Sequence, residues 1–195
     1  PPRPGIPPEG RADLMVAPPR RIGLTGGIGT GKSFVLRYLA ACGVPTLDTD
    51  VVARSLVRRG EPGHAAVVAA FGPAVVGPDG EIERAALARL VFGDAAQRQR
   101  LEAILHPAVW RAVEAFFAGT SGPAVVGVPL LFETDAQARF DRVMVTDCPE
   151  ATQVARVMAR DGVSEAEVRA RLAAQVTREE WRRRADGLVE TSGSP

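Results

Sequence analysis

The sequence predicts an α/β protein: a doubly wound parallel sheet of about five strands, flanked by helices. Three observations predict it. A short apolar run at Ile22 and Leu24 enters the glycine-rich stretch 26–33, which opens directly into a helix-compatible segment. The run 124–131, Ala-Val-Val-Gly-Val-Pro-Leu-Leu, is apolar without alternation, as a strand covered on both faces must be. Long stretches of helical periodicity separate the strand-like runs, which is the spacing that parallel crossovers require.

Taken in order, residues 1–20 hold seven prolines and little apolar periodicity, so an extended N-terminal tail is expected there. Met15 stands just before the first strand, where a compact domain of 21–195 begins. After the glycine-rich turn, Val35, Leu36 and Leu39 fall at helical spacing and Gly43 is a stop signal. Residues 44–47 read as a short second strand that ends in Asp48-Thr49-Asp50. Residues 51–58 and 62–71 read as helices broken by Gly60-Glu61-Pro62-Gly63, and Gly77-Pro78-Asp79-Gly80 marks a turn. Helices follow at about 83–92, 94–105 and 107–118, with Pro107 suited to the first turn of the last. Pro129 breaks the apolar strand 124–131. Then come a strand at 142–146, helices at 149–161, 164–176 and 177–185, and a final strand at 187–190. No strand interrupts 51–118, which therefore reads as a helical cap inserted beside a core of 21–50, 119–150 and 185–193. Residues 151–184 read as a helical lid.

Gly26, Gly31, Lys32 and Ser33 fill the G-x-x-x-x-G-K-[ST] template of a phosphate-binding loop. Glycines without a Cβ let successive backbone N–H groups curl around an anion, and the following helix start adds unpaired N–H groups and a positive dipole end. Residues Gly27, Ile28, Gly29, Thr30, Gly31, Lys32, Ser33 and Phe34 are the expected cradle for ATP. Lys32 would reach the β- and γ-phosphates and the Ser33 hydroxyl would ligate Mg²⁺. Lys32 is also the chain's single lysine, against 23 arginines. A drift toward arginine has spared the one position where a compact ammonium on a flexible stem does what a planar fork cannot.

Asp48 and Asp50 lie at the carboxyl end of the second strand, the edge where open α/β sheets bind ligands. At strand spacing both carboxylates point the same way. One can take a proton from an attacking hydroxyl while the other orients Mg²⁺ or substrate, with Asp50 the expected base; turn or helix-cap aspartates are the plainer alternative. Arg54, one turn along, either holds an anionic substrate group or pairs with Asp50. Glu133 orients substrate or a metal-bound water, or is a surface carboxylate. His106, ahead of Pro107, suits a helix start and is also a substrate-side candidate. Arg156, Arg160 and Arg171 flank Asp161-Gly162-Val163, a hinge-like stretch, where mobile arginines can neutralise a transferring phosphoryl group; a solvated helix face is the alternative.

Composition narrows the class. Apolar content of 46% and charged content of 24% are those of a globular protein. A net charge of +1 argues against a general nucleic-acid surface. Cys42 and Cys148 lack metal or redox spacing and suit reduced thiols in a cytoplasmic setting. No apolar run approaches the length of a membrane span, and no N-K-x-D element is present to read guanine. A compact phosphate-loop chain with a carboxylate after its second strand and a basic lid suits a small-molecule kinase. Another nucleoside or nucleotide kinase, distinguished by residues 51–118, and a regulatory ATP-binding module without turnover stand as alternatives; the module would not need Asp50.

These residues together resemble the dephospho-coenzyme A kinase family. The resemblance spans about Arg21 to Gly193. It rests on Ile-Gly-Leu-Thr-Gly-Gly-Ile-Gly-Thr-Gly-Lys-Ser at 22–33, Asp48-Thr49-Asp50-Val51-Val52-Ala53-Arg54 and Ile104-Leu105-His106-Pro107. It continues in Val128-Pro129-Leu130-Leu131-Phe132-Glu133, Arg169-Ala170-Arg171-Leu172-Ala173-Ala174-Gln175 and Ala185-Asp186. It implies a P-loop NTPase-type core with a helical substrate domain and a lid, and ATP-dependent phosphorylation of the ribose 3′-hydroxyl of dephospho-coenzyme A. It further implies Lys32 and Ser33 on the ATP phosphates and Mg²⁺, Asp50 as base, and Arg156, Arg160 and Arg171 in the lid. The implied partners are the two small-molecule substrates, without nucleic acid or membrane, in a cytoplasmic monomer or weak homo-oligomer. Two departures stand out. Gly127 occupies a position where many members carry Asp, and Glu190-Thr191-Ser192-Gly193 stands in place of Asp-Asn-Ser-Gly.

Overall fold

In the computed structural model, residues 20–91 and 93–193 are described. The expected tail with Met15, apart from Arg20, lies outside them, as does Phe92. Strand β1 (Arg21–Thr25) leads through the glycine-rich loop into α1 (Lys32–Ala41), then β2 (Thr46–Asp48) and α2 (Thr49–Leu56). Helices α3 (Pro62–Phe71), α4 (Arg84–Val91) and α5 (Ala95–Ala118) follow before β3 (Ala124–Gly127). Strand β4 (Arg142–Asp147), helices α6 (Glu150–Asp161), α7 (Glu165–Ala173) and α8 (Arg178–Arg184), and β5 (Gly187–Glu190) complete the described chain.

The five strands form one sheet in the order β2-β3-β1-β4-β5, every neighbouring pair parallel. From β1 the chain goes first to the edge strand β2, returns to β3 between the two, then crosses to β4 and β5 on the opposite side. The winding reverses at β1, so the loop leaving its carboxyl end lies at the switch point where such sheets hold ligands.

The two-residue period of a strand explains the layering. On β3, Val125 faces α1 and packs with Leu24, Val35 and Leu36. Its neighbours Ala124 and Val126 face the other way, into a cluster with Val113 and Phe117 of α5, Leu131, Phe132, Val143, Val145 and Trp181 of α8. Each fully buried aliphatic side chain in these layers contributes about 1.5–3 kcal/mol. Two smaller clusters stand apart from the sheet. Val67, Val75 and Ile82 hold the helical insertion together, with Leu101 and Leu105 packed against them. Val154, Val157 and Val168 hold the α6–α7 hairpin, and Ile28 of the glycine-rich loop packs on that cluster.

Two expectations are corrected. The predicted helices 94–105 and 107–118 are one helix, α5, with Pro107 inside it. Proline removes a hydrogen bond there, but α5 is held on both sides of the break: Leu101, Ile104 and Leu105 join the insertion cluster, and Val113 and Phe117 join the sheet. The strand expected over 124–131 stops at Gly127, because Pro129 has no N–H to donate and Leu130 turns the chain with φ 52°.

Gly127 itself has a steric explanation. A Cβ at this position would overlap Cδ1 of Leu36, a core residue only 4% exposed. Gly127→Ala is therefore expected to lower the unfolding free energy by about 1–3 kcal/mol, the usual range for overpacking a filled core. A urea midpoint equal to that of the parent chain would refute this account. Among the described residues, no helix is long and apolar enough to cross a membrane.

Candidate active site

The loop between β1 and α1 is held open from below. Gly29 has φ 77°, and a Cβ there would stand 2.8 Å from the backbone oxygen of Gln153, so only glycine fits between the loop and α6. Thr30, 3% exposed, has its hydroxyl 2.7 Å from Gly27 O and 2.7 Å from the Thr146 hydroxyl on β4. Helix α1 starts after Gly31, in the left-handed region at φ 87°, with no side-chain cap and no acid in its first turn. Its leading N–H groups and dipole end thus remain available to an anion.

Lys32 Nζ lies 3.6 Å from Asp48 Oδ1 and 3.6 Å from Asp50 Oδ2. Both distances exceed a hydrogen bond, and Nζ is buried without a hydrogen-bond partner among the described residues. The ammonium thus has its charge balanced by two carboxylates while its N–H donors are unspent among the described residues.

The carboxylates converge on Lys32 by a different route from the strand alternation expected. Asp48 is the N-cap of α2, its Oδ1 accepting from Asp50 N at 2.9 Å, and Asp50 lies in the first helical turn. The capping alternative therefore holds for Asp48. Asp50 is the freer of the two, with half of its side chain exposed, and it borders a cavity of about 350 Å³. Leu101, Leu105, His106, Val109 and Trp110 of α5 form one wall of that cavity, and Pro129 and Arg139 face them. His106 thus reaches the site from the middle of α5 and not from a helix start. Arg54 does not line this cavity, and the partner of Asp50 is Lys32.

On the other side of the loop, Arg156 is tied in place. Its guanidinium donates to Thr191 O at 2.7 Å, Gly193 O at 3.1 Å and Gly29 O at 3.5 Å. Arg160 and Arg171 instead share one carboxylate. Arg160 grips Asp161 with bonds of 2.7 and 3.0 Å, and Arg171 Nη1 reaches Asp161 Oδ2 at 2.9 Å. The hydrogen bonds from Arg160 hold the Asp161 carboxyl below its ordinary range. Burial pushes the Cys148 thiol upward, against the nearby charge of Arg156, which keeps it a protonated packing group. Glu133 makes no ion pair with Lys32 among the described residues; its carboxylate accepts from Val176 N at 3.3 Å, between α7 and α8.

Several contributors escaped the sequence reading. Gln175 accepts from Ile28 N at 2.9 Å, joining the α7–α8 linker to the loop. Because Ile28 N–H must donate, the amide orientation of Gln175 follows from its partner. Gln153, 6% exposed, donates from Nε2 to Cys148 O beneath the loop. Asp147, at the end of β4 and 3% exposed, takes a two-point ion pair from Arg178 at 2.6 and 2.9 Å. Gln175–Ile28 and Asp147–Arg178 pair residues 147 and 31 apart, which no local spacing signals; Gln153 and Cys148 are only five apart, but which carbonyl Gln153 meets is set by how α6 leaves β4.

The family model described as dephospho-CoA kinase matches residues 20–195. The chain belongs to the dephospho-CoA kinase family. The dephospho-CoA kinase of Thiobacillus denitrificans is 49% identical over 175 residues, covering 89% of this chain and 87% of that one. A crystal structure of TT1252 from Thermus thermophilus superposes with a TM-score of 0.79 at 41% identity, covering 90% of each chain. The dephospho-CoA kinase from Campylobacter jejuni shares the fold, with a TM-score of 0.63 at 23% identity over 89% of this chain and 88% of that one. Within this dephospho-CoA kinase fold, Thr191 ties the end of β5 to the loop. Its hydroxyl lies 2.7 Å from Thr30 O and 3.0 Å from Asp147 O.

Proposed function

We propose that this chain transfers the γ-phosphoryl group of ATP to the ribose 3′-hydroxyl of dephospho-CoA, giving CoA and ADP. Family membership supports the reaction, and one observation carries the assignment of roles. The buried, hydrogen-bond-free ammonium of Lys32 lies between two carboxylates, one of which opens into a nucleoside-sized cavity. Donor and acceptor sides thereby meet at Lys32 and Asp50.

In this reading the loop N–H groups and the start of α1 receive the ATP phosphates. Lys32 swings from the carboxylates to the β- and γ-phosphates and neutralises the charge that develops on them. Asp50 accepts the proton of the acceptor hydroxyl, and Asp48 stays bound to Asp50 N and fixes the first turn of α2. The donors present also suit Mg²⁺. Ser33 supplies a hydroxyl at the start of α1, and the described residues contain no cluster of three or more acidic, His or Cys side chains. A metal held by one hydroxyl, phosphate oxygens and water needs no such cluster. Bound there, it would screen the phosphate charge.

The segment of about 151–184 acts as a lid and 51–118 as the acceptor-side domain, each with its own apolar cluster. Arg156 already stands at the loop. Arg160 and Arg171 would have to exchange Asp161 for phosphate oxygens. Solvent screens such exposed ion pairs, so this exchange costs little beside charge-assisted bonds to a triphosphate.

Coupled ADP release with Mg-ATP tests the assignment, with dephospho-CoA, adenosine, AMP and CMP as separate acceptors. The expected result is ADP release with dephospho-CoA alone and a product heavier by one phosphoryl group. Turnover with a mononucleotide only would move the chain to another nucleotide-kinase activity. ATP binding without turnover on any acceptor would mark a regulatory module.

A further inference from the structure

We infer that Arg139 is a specificity-determining residue that binds the diphosphate of the acceptor; this rests on the reading of the cavity beside Asp50 as the dephospho-CoA side. Arg139 closes a short 3-10 turn, Ala136–Arg139, anchored at one end by Ala136, which is 4% exposed. At the other end Phe140 packs against Trp110 and Phe117, with ring centroids 6.4 and 6.1 Å away. The guanidinium itself lies over the Trp110 ring, 4.4 Å from its centroid, and both side chains line the cavity. Stacking on an indole holds the planar fork in one orientation at low entropic cost.

The other charges in the cavity leave Arg139 available. Asp50 is engaged by Lys32, and Asp135 faces Arg184 at 3.5 Å. Glu102 also lines the cavity, from α5, and makes no ion pair with Arg139 among the described residues. Among the described residues no carboxylate lies within ion-pair reach of Arg139. A permanently charged, pre-oriented fork without an anionic partner matches two adjacent phosphate groups. The surrounding division of surface fits the same acceptor: Leu101, Leu105 and Val109 offer an apolar wall for a base, and Asp50 meets the ribose hydroxyl. A nucleoside fills the apolar part but leaves Arg139 unpaired, which is the source of the discrimination.

Steady-state kinetics of the full chain carrying Arg139→Gln provide the test. KM for dephospho-CoA is expected to rise about 10-fold or more, the usual loss for a hydrogen bond to a charged group. KM for ATP should be unchanged and kcat should change by less than about threefold, since neither the loop nor Asp50 is touched. Arg139→Lys keeps the charge and loses the fork, so it should recover part of the loss. It also carries the test should Arg139→Gln fail to fold, with an expected KM between those of the parent and of a neutral side chain. An unchanged KM for dephospho-CoA in a folded variant overturns the inference, as does a parallel rise in KM for ATP. Absence of turnover by the parent chain would instead refute the proposed function itself.

Discussion

Lys32→Met is expected to lower kcat by about a thousandfold with both substrates saturating. Removing one pre-oriented neutral donor from a transition-state site costs about 10²–10³ in rate, and Lys32 brings a full charge that is already desolvated. The ammonium binds where charge grows during transfer, so the loss should fall on kcat as well as on KM for ATP. Lys32→Arg is expected to rescue little. Asp48 and Asp50 both stand 3.6 Å from Nζ, and a guanidinium fork in that gap would bind them bidentately and resist transfer to phosphate. Initial-rate measurements on folded variants decide the matter. A kcat within tenfold of the parent for Lys32→Met would remove Lys32 from the role proposed.

Asp50→Asn carries the second large effect, an expected fall of about 10²–10⁴ in kcat, the range for loss of a positioned general base. The amide keeps the shape and can still receive a hydrogen bond, but it cannot take the hydroxyl proton. KM for ATP should move little, because the loop and Lys32 remain. Asp48→Asn is the informative companion. Its side-chain oxygen can still cap α2 by accepting from Asp50 N, so its loss should be far smaller. Equal losses in the two variants would show that the carboxylates share the role, and full turnover in Asp50→Asn would eliminate the base. Either result is read from initial rates with dephospho-CoA under saturating Mg-ATP.

The difference between these two aspartates shows how far the sequence reaches. Their proximity to the phosphate loop was legible from the strand-end position, since β2 delivers its carboxyl end to the same sheet edge as β1. Their unequal geometry was not. Strand alternation would have made them equivalent, whereas an N-cap fixes one and exposes the other, a choice made by where the helix begins. The lid arginines divide in a similar way. Arg156, Arg160 and Arg171 share a segment and a residue type, yet Arg156 meets the backbone of the loop while the other two meet Asp161. Helical phase alone does not separate them, because the contact of Arg156 is with residues of the segments that follow β1 and β5. Pro107 misled for a related reason: a local breaker was outweighed by apolar contacts on both sides of it.

By itself the sequence determined the α/β class, the phosphate loop, the single lysine in it and the family. These are local patterns in which a few consecutive residues carry the whole physical requirement. The tertiary structure alone decided the attachment of Gln175 to Ile28, the docking of Glu133 on Val176, the space that keeps residue 127 a glycine and the seating of Arg139 on Trp110. Each joins residues far apart in the chain, and their contact depends on how strands order and helices pack, which the spacing along the sequence does not encode.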